Sequence, residues 1–172
     1  MNPLTRIVLI GAESTGKSTL AAALADAQGL PQTGEFVRTY VEGLDRPLRR
    51  VDLDPIANGQ LAEEDRHLDA PAVLHDTNVL STLIYARHYF GVTQEWLEQA
   101  FAARHYALYL FCQPDIPWAP DPGQRDSPEA RDAQHELFAA ELELRGLPTI
   151  RIAGDPATRL RSALKALNRV LR

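Results

Sequence analysis

Cysteine and positive charge are both scarce in this sequence. Cys112 is the only cysteine among 172 residues, which excludes an internal disulfide and the disulfide-stabilised scaffolds of small secreted proteins. Lysine and arginine number 18 against 23 acidic residues, which gives a net charge of −5. Such a chain lacks the basic field with which proteins hold nucleic-acid backbones, so nucleic acid is not an expected partner.

Long apolar runs are missing as well. No stretch approaches the roughly 20 apolar residues that a membrane-spanning helix requires. The N-terminal run, residues 6–10, leads directly into a glycine-rich loop and lacks the cleavage site of a signal peptide. We therefore expect a cytoplasmic protein without a membrane partner, folded as one domain over residues 1–172. The sequence indicates no oligomeric state.

The glycine-rich loop is the most informative stretch. Residues 11–18 read Gly-Ala-Glu-Ser-Thr-Gly-Lys-Ser and fill every fixed position of the G-x-x-x-x-G-K-[ST] phosphate-binding loop. The β-branched apolar run before it predicts a strand, and the alanine- and leucine-rich run after it, residues 17–27, predicts a helix. Strand, glycine loop and helix in this order form the context in which the motif binds phosphate.

Each residue type in this loop suits a nucleotide phosphate chain. Gly11 and Gly16 permit backbone angles closed to other residues, so that N–H groups can surround a phosphate. Lys17 is predicted to reach the β- and γ-phosphates, and the Ser18 hydroxyl is predicted to bind Mg²⁺. The predicted nucleotide contacts are Gly11, Glu13, Ser14, Thr15, Gly16, Lys17, Ser18 and Thr19.

The rest of the chain alternates short apolar runs with helical patterns. Further strands are predicted at residues 30–33, 72–76, 106–111 and 148–152. Helices are predicted between them, at residues 35 to 46, 54–68, 80–90, 94–104, 129–145 and from 155 onward. This alternation predicts an α/β fold of the P-loop nucleoside and nucleotide kinase type, with a five-stranded parallel sheet flanked by helices. Ligands in such folds bind at the carboxyl ends of the strands.

Residues 113–128, here called the proline-rich segment, contain five prolines and cannot form regular structure. A loop this long in a small domain is usually functional, and we predict a lid over about residues 113–131. Arg125 in this segment could neutralise charge on a transferring phosphoryl group. Trp118 could stack on a flat ring, or it could only anchor the loop. Residues 153–155 fall where a loop contacting adenine is expected.

Two carboxylates lie at the predicted ligand edge of the sheet. Asp76 ends a strand and could bind Mg²⁺ or orient Lys17 and Ser18, but it could also cap the following helix. Glu35 follows the short second strand and could accept the proton of a hydroxyl or bind a sugar diol. Arg38, one turn later, could hold Glu35 or contact substrate, and the two could equally form a surface ion pair. The arginine-rich terminal helix is predicted to expose its charges to solvent.

With these residues identified, the chain resembles the ribosylnicotinamide kinase domain of the bifunctional NAD-biosynthesis regulator and its stand-alone P-loop ATPase and kinase relatives. The resemblance covers nearly the whole chain. It depends on residues 11–20, Glu35-Phe36-Val37-Arg38 with Tyr40-Val41, Asp76-Thr77 with Thr82 and Tyr85, and Pro117-Trp118 with Asp121 and Arg125. The sequence differs from the family pattern at Gly34, Thr39, Asn78 and the spread run of residues 121–125.

The resemblance implies ATP and Mg²⁺ at the phosphate loop, and transfer of the γ-phosphoryl group to the 5′-hydroxyl of nicotinamide riboside in NAD biosynthesis. It implies that Trp118 stacks on the pyridinium ring. The predicted catalytic residues are Lys17, Glu35, Asp76 and Arg125. The predicted substrate contacts are Glu35, Arg38, Asn78, Trp118 and Asp121, and the predicted metal ligands are Ser18 and Asp76. Two alternatives stay open: a regulatory nucleotide-dependent switch or ATPase, and a kinase of another nucleoside.

Overall fold

Five parallel strands form one sheet in the computed structural model, which describes residues 4–120 and 127–172. The order across the sheet is β2-β3-β1-β4-β5, and every neighbouring pair is parallel. The predicted five-stranded parallel sheet is therefore confirmed. The strands are β1 (Thr5–Ile10), β2 (Gln32–Thr33), β3 (Ala72–Asp76), β4 (Tyr106–Cys112) and β5 (Thr149–Ile152).

Helices connect successive strands and cover both faces of the sheet. In the two described ranges no helix is long and apolar enough to cross a membrane. The helices are α1 (Lys17–Gln28), α2 (Phe36–Glu42), α3 (Leu53–Glu64), α4 (Val79–Phe90), α5 (Glu95–Ala102), α6 (Pro128–Leu144) and α7 (Pro156–Val170).

The central strand β1 has apolar side chains on both faces, as expected for a buried parallel strand. Ile7 and Leu9 pack into one core with α1 and α7. Val8 and Ile10 pack into a second core with α3, α4, α5 and α6. Because all strands run the same way, the carboxyl ends of β1 and β3 meet at the edge where α1 begins.

Helix α3 begins and ends earlier than the sequence predicted. A proline after Asp54 suggested a start there, but the helix begins at Leu53, directly after a 3₁₀ turn at Arg50–Asp52. The Asp52 carboxylate accepts hydrogen bonds from the Arg49 backbone at 2.7 Å and from the Arg46 guanidinium. These bonds fix the turn. Asp54 instead accepts hydrogen bonds from α5 and the residue before it.

Helices α6 and α7 both begin at a side-chain cap. Asp155 accepts a hydrogen bond from the backbone of Thr158 at 2.8 Å, which confirms the predicted start of α7. Ser127 caps α6 in the same way, so that Pro128 is the first helical residue and not the end of the proline-rich segment. Proline suits this position because its missing N–H would have no partner there.

Candidate functional site

The phosphate loop connects β1 to α1 with backbone angles that its glycines permit. Gly11 has a φ of 148°, and Gly16, immediately before α1, has a φ of 80°. A Cβ atom at Gly11 would lie 2.8 Å from the carbonyl oxygen of Cys112, so only glycine fits between β1 and β4. Ser14 also has a positive φ, of 55°. Angles of this kind in residues other than glycine are uncommon and concentrate at ligand sites.

Side chains of the loop brace it from within. Thr15 Oγ1 and Lys17 Nζ donate hydrogen bonds to the carbonyl oxygen of Ala12, at 2.7 and 2.8 Å. Lys17 is only 7% exposed, so its ammonium group lies against its own loop. Since α1 begins at Lys17, its first N–H groups have no partners within the helix. Together with the helix dipole they form an anion-binding site.

Asp76, at the carboxyl end of β3, is hydrogen-bonded to the phosphate loop. Ser18 Oγ donates to Asp76 Oδ2 at 2.6 Å. The other carboxylate oxygen, Oδ1, is buried and has no hydrogen-bond partner. Burial raises the pKa of Asp76, and the hydrogen bond from Ser18 and the charges of Lys17 and Arg38 oppose that shift. The strand end and the loop therefore form one polar centre, which the sequence predicted.

The chain turns sharply immediately after Asp76. Thr77 has a φ of 67°, an unusual value for a β-branched residue. Its backbone N–H donates to the carbonyl oxygen of Leu9 at 2.9 Å, and its hydroxyl is hydrogen-bonded to Ser81. These bonds hold the strained turn and fix the Asp76 carboxyl beside α1.

Glu35 and Arg38 are positioned by the packing of α2 on α3. The Phe36 ring lies against Gly59, where a Cβ atom would be 2.1 Å from the ring. The Phe36 backbone N–H also donates to Gln60 Oε1 at 3.0 Å. On this short helix Arg38 Nε donates to Glu35 Oε2 at 2.8 Å. Both residues act electrostatically on the Asp76 carboxyl.

A cavity of about 320 Å³ lies in front of the phosphate loop. On the loop side it is lined by residues 13–19. Arg38 lines it from α2, and Trp118, Ala119 and Pro120 line it from the proline-rich segment. Three separate parts of the sequence that were predicted to meet therefore border one space.

The described start of the proline-rich segment is attached to the phosphate loop. The Ala119 backbone N–H donates to Ser14 Oγ at 3.1 Å. Arg131, near the start of α6, donates to the carbonyl oxygen of Ile116 at 2.9 Å and approaches that of Ser14 at 3.5 Å. The described start of the segment and the first turn of α6 therefore both contact the phosphate loop.

A family model described as an AAA domain, AAA_28, matches residues 6–159 of this chain. The chain belongs to this AAA domain family. Among curated proteins it is similar to the trifunctional NAD biosynthesis/regulator protein NadR of Escherichia coli, with 25% identity over 155 residues, 85% of this chain and 37% of the relative. It is also 26% identical to NadR of Salmonella typhimurium over 122 residues, 67% of this chain and 30% of the relative. This AAA domain therefore spans about a third of the length of these relatives.

Solved structures show the same fold for this AAA domain. A crystal structure of NadR in complex with NR has a TM-score of 0.82 and 24% identity, and covers 97% of this chain and 50% of that one. NadR in complex with NAD and AMP-PNP has a TM-score of 0.75 and 26% identity, covering 97% and 49%. A deoxyadenosine kinase from M. mycoides has a TM-score of 0.71 at 10% identity, covering 96% and 100%. The fold is that of P-loop nucleoside and nucleotide kinases, as predicted.

Two predicted substrate contacts, Asn78 and Asp121, and the predicted catalytic residue Arg125 differ from the other predicted site residues. Asn78 is fully buried and caps α4, since its side chain accepts from the Leu80 backbone at 3.3 Å and donates to the Tyr109 hydroxyl at 3.0 Å. We therefore leave Asn78 out of the substrate site of this AAA domain. Asp121 and Arg125 lie outside the described residues, and their roles stay predictions.

The structure adds Arg159, which sequence reasoning missed. The terminal helix was predicted to expose its arginines, but Arg159 is only 4% exposed and reaches the phosphate loop of this AAA domain. The hydrophobic periodicity of α7 gave no indication that Arg159, near the start of this helix, is buried. Arg161, two residues later, is exposed as predicted.

Proposed function

We propose that this chain is an ATP-dependent kinase that phosphorylates the 5′-hydroxyl of nicotinamide riboside to give nicotinamide mononucleotide, and that residues 1–172 form a single kinase domain. The observation that carries the proposal is the Ser18–Asp76 hydrogen bond beside a cavity that Arg38 and Trp118 also line. A loop that only holds a nucleotide does not need an arginine and an indole beside the same cavity. Similarity to the NAD biosynthesis protein NadR, which is solved in complex with NAD and AMP-PNP, supports an ATP-dependent step in NAD biosynthesis.

The phosphate loop would hold the triphosphate of ATP. Its backbone N–H groups and the N-terminus of α1 supply hydrogen-bond donors and positive potential. Lys17 Nζ donates a hydrogen bond to the Ala12 carbonyl oxygen at 2.8 Å, and it would exchange that neutral acceptor for phosphate oxygens. A phosphate oxygen carries negative charge and the Ala12 carbonyl oxygen does not, so the exchange adds a Coulombic attraction to the ammonium group.

Ser18 and Asp76 fit a magnesium ion. Magnesium prefers oxygen ligands, and it often takes only one or two carboxylates from the protein with the rest from substrate phosphates and water. Asp76 Oδ1 is a buried carboxylate oxygen without a hydrogen-bond partner, and the Ser18 hydroxyl lies directly beside the carboxyl group. When bound there, Mg²⁺ would neutralise negative charge on the β- and γ-phosphates.

The acceptor would occupy the side of the cavity that faces away from the loop. Trp118 would stack on the cationic pyridinium ring, a pairing that an indole favours among the aromatic side chains. Arg38 would contact the acceptor or the transferring group. Arg125 and Asp121, whose positions are not described, are proposed to complete this side from the lid.

We propose Glu35 as the proton acceptor, because we assign Asp76 to the magnesium site. The 5′-oxygen forms a bond to the γ-phosphorus while the bond from that phosphorus to the β–γ bridging oxygen breaks. ADP leaves with the electron pair, and the hydroxyl proton passes to the Glu35 carboxylate. Glu35→Gln should therefore reduce kcat by about 10²–10⁴-fold with little change in acceptor affinity.

The test is to mix the purified protein with ATP, Mg²⁺ and a panel of nucleosides, and to measure ADP release and product mass. We expect ADP release that depends on nicotinamide riboside and a product heavier by one phosphoryl group. Lys17→Met should abolish it, and Lys165→Met, at the only other lysine and exposed on α7, should not.

The same experiment separates the alternatives. Phosphorylation of a different nucleoside, and not of nicotinamide riboside, would refute the proposed acceptor and support the proposed kinase activity. ADP release that is unchanged across the panel would refute the kinase and favour a regulatory ATPase.

A further inference from the structure

The guanidinium group of Arg159 joins three separate segments of the chain around the phosphate loop. Arg159 Nη1 donates to the carbonyl oxygen of Thr15 at 2.7 Å. Nη2 donates to the carbonyl oxygen of Gln113 at 2.8 Å, at the start of the proline-rich segment. Nε donates to the carbonyl oxygen of Gly154 at 2.8 Å, in the β5–α7 turn. A buried arginine with this many backbone acceptors is held in one orientation.

A carboxylate completes this arrangement. Asp115 forms an ion pair with Arg159 Nη2. Its other carboxylate oxygen accepts a hydrogen bond from the Gly154 backbone N–H at 2.6 Å. Gly154 has a φ of 95°, a conformation that glycine adopts readily and other residues rarely. The backbone N–H of Gly154 is therefore hydrogen-bonded to Asp115, and its C=O is hydrogen-bonded to Arg159.

The chemistry of a phosphate loop explains why such a donor is needed. For the N–H groups of the loop to converge on phosphate, its carbonyl groups must point away, and a buried carbonyl without a donor is costly. The Ala12 carbonyl is served by Thr15 and Lys17 from within the loop. The carbonyl of Thr15, next to Gly16, is served by Arg159 from a helix at the far end of the chain.

We propose that Arg159 is a positioning residue for nucleotide binding, which fixes the phosphate loop and the β5–α7 turn relative to each other. The inference rests on the proposed function, since it assumes a nucleoside triphosphate whose phosphates contact the loop and whose base contacts the turn at residues 153–155. Arg159 touches neither part of the nucleotide. It sets the distance between the two surfaces that do.

The test compares Arg159→Met with Arg159→Lys and with a matched control, Arg161→Met, on the exposed face of the same helix. The dissociation constant for ATP with Mg²⁺ is measured by calorimetry well below the melting temperature of each variant. The KM values for ATP and for nicotinamide riboside are measured in parallel. A role limited to general stability would lower the melting temperature and leave ATP affinity unchanged.

We expect Arg159→Met to weaken ATP binding by about tenfold to a hundredfold, because charged hydrogen bonds that hold the loop are lost. The KM for nicotinamide riboside should stay within about twofold, and Arg159→Lys, which keeps the charge but not the planar fork, should recover part of the loss. If Arg159→Met does not fold, Asp115→Asn, at a half-exposed position, should still weaken ATP binding by roughly threefold.

Unchanged ATP affinity in folded Arg159→Met, or equal losses for ATP and nicotinamide riboside, would overturn the inference. Its failure differs from failure of the proposed function. A wild-type protein that binds ATP but phosphorylates no nucleoside would refute only the kinase proposal, because calorimetry still reads the effect of Arg159. A wild-type protein that binds no ATP would refute both.

Discussion

Glu64, the last residue of α3, carries a prediction that can be worked out quantitatively. It has no exposed surface, accepts a hydrogen bond from the Val79 backbone N–H at 2.8 Å and accepts another from the Tyr106 hydroxyl at 2.6 Å. Burial raises the pKa of Glu64 to about 7, and these hydrogen bonds and the charges of Arg104 and Arg6 oppose the shift only in part. The folded protein is therefore more stable when the Glu64 carboxyl group is protonated than when it is ionised.

The sign and the size of the effect on stability follow from this pKa. In the unfolded chain the carboxyl group titrates near 4.5. The stabilisation is complete below pH 4.5 and is lost as the pH rises through about 7, because folding then requires a buried charge or proton uptake. The difference between the two pKa values corresponds to about 3 kcal/mol at most. In a domain of this size each kcal/mol moves the melting temperature by about 2–4 °C.

The perturbation is Glu64→Gln, which stays neutral at every pH and can still accept from Val79 and donate to the Tyr106 oxygen. Thermal unfolding is followed from pH 5 to pH 8.5 for both proteins. The variant should match the wild type near pH 5 and exceed it at pH 8.5 by several degrees, up to about 10 °C. Glu63→Gln makes the same chemical change one residue away, on a side chain paired with Arg66, and is the control.

Taking the difference between variant and wild type cancels the contributions of other titrating groups. His75 is the main one, because burial lowers its pKa to about 3 and its effect on stability runs in the opposite direction. A difference in melting temperature between Glu64→Gln and wild type that stays constant from pH 5 to pH 8.5 would refute the reasoning. A gap that narrows with rising pH would refute it as well.

Three further predictions concern the candidate site. Trp118→Ala should raise the KM for nicotinamide riboside by about tenfold to thirtyfold and leave that for ATP nearly unchanged, with Trp96→Ala, at an exposed tryptophan on α5, as the control in the same steady-state assay. Gly59→Ala should lower the free energy of unfolding by about 1–3 kcal/mol in denaturant unfolding, because its methyl group would displace Phe36 and with it α2. It should also raise the KM for the acceptor more than the KM for ATP, and equal increases in the two KM values would argue against this. Ser18→Ala should reduce kcat by about a hundredfold or more in the presence of Mg²⁺, whereas Ser18→Thr, which keeps the hydroxyl, should retain most of it.

The elements that depend on local pattern were predictable from the sequence. The apolar run of β1, the glycine loop and the alanine-rich α1 are each specified by neighbouring residues, and the structure has them where the pattern indicated. The Asp155 cap of α7 is also a local signal, since aspartate followed by proline specifies a helix start. Such features need no knowledge of the rest of the chain.

The features that the sequence did not reveal depend on distant partners. Helix α3 starts early because Asp52 is engaged by Arg46 and by Tyr40, twelve residues away. Asn78 was a plausible substrate contact until Tyr109, on another strand, was seen to take its amide group. Arg159 was assigned to solvent for the same reason, because two of its backbone acceptors lie 46 and 144 residues away. Periodicity cannot report such pairings.

The two cores on opposite faces of the sheet also divide the candidate site. Helix α1 and the helix that bears Arg159 pack on one face, while α2, which carries Glu35 and Arg38, is attached to α3 on the other. Substitutions that reshape the proposed acceptor end can therefore be absorbed by one core without repacking the layer that supports the phosphate loop. A protein engineer seeking a different acceptor could randomise α2 and its contacts with α3 while leaving the phosphate loop, α1 and α7 unchanged.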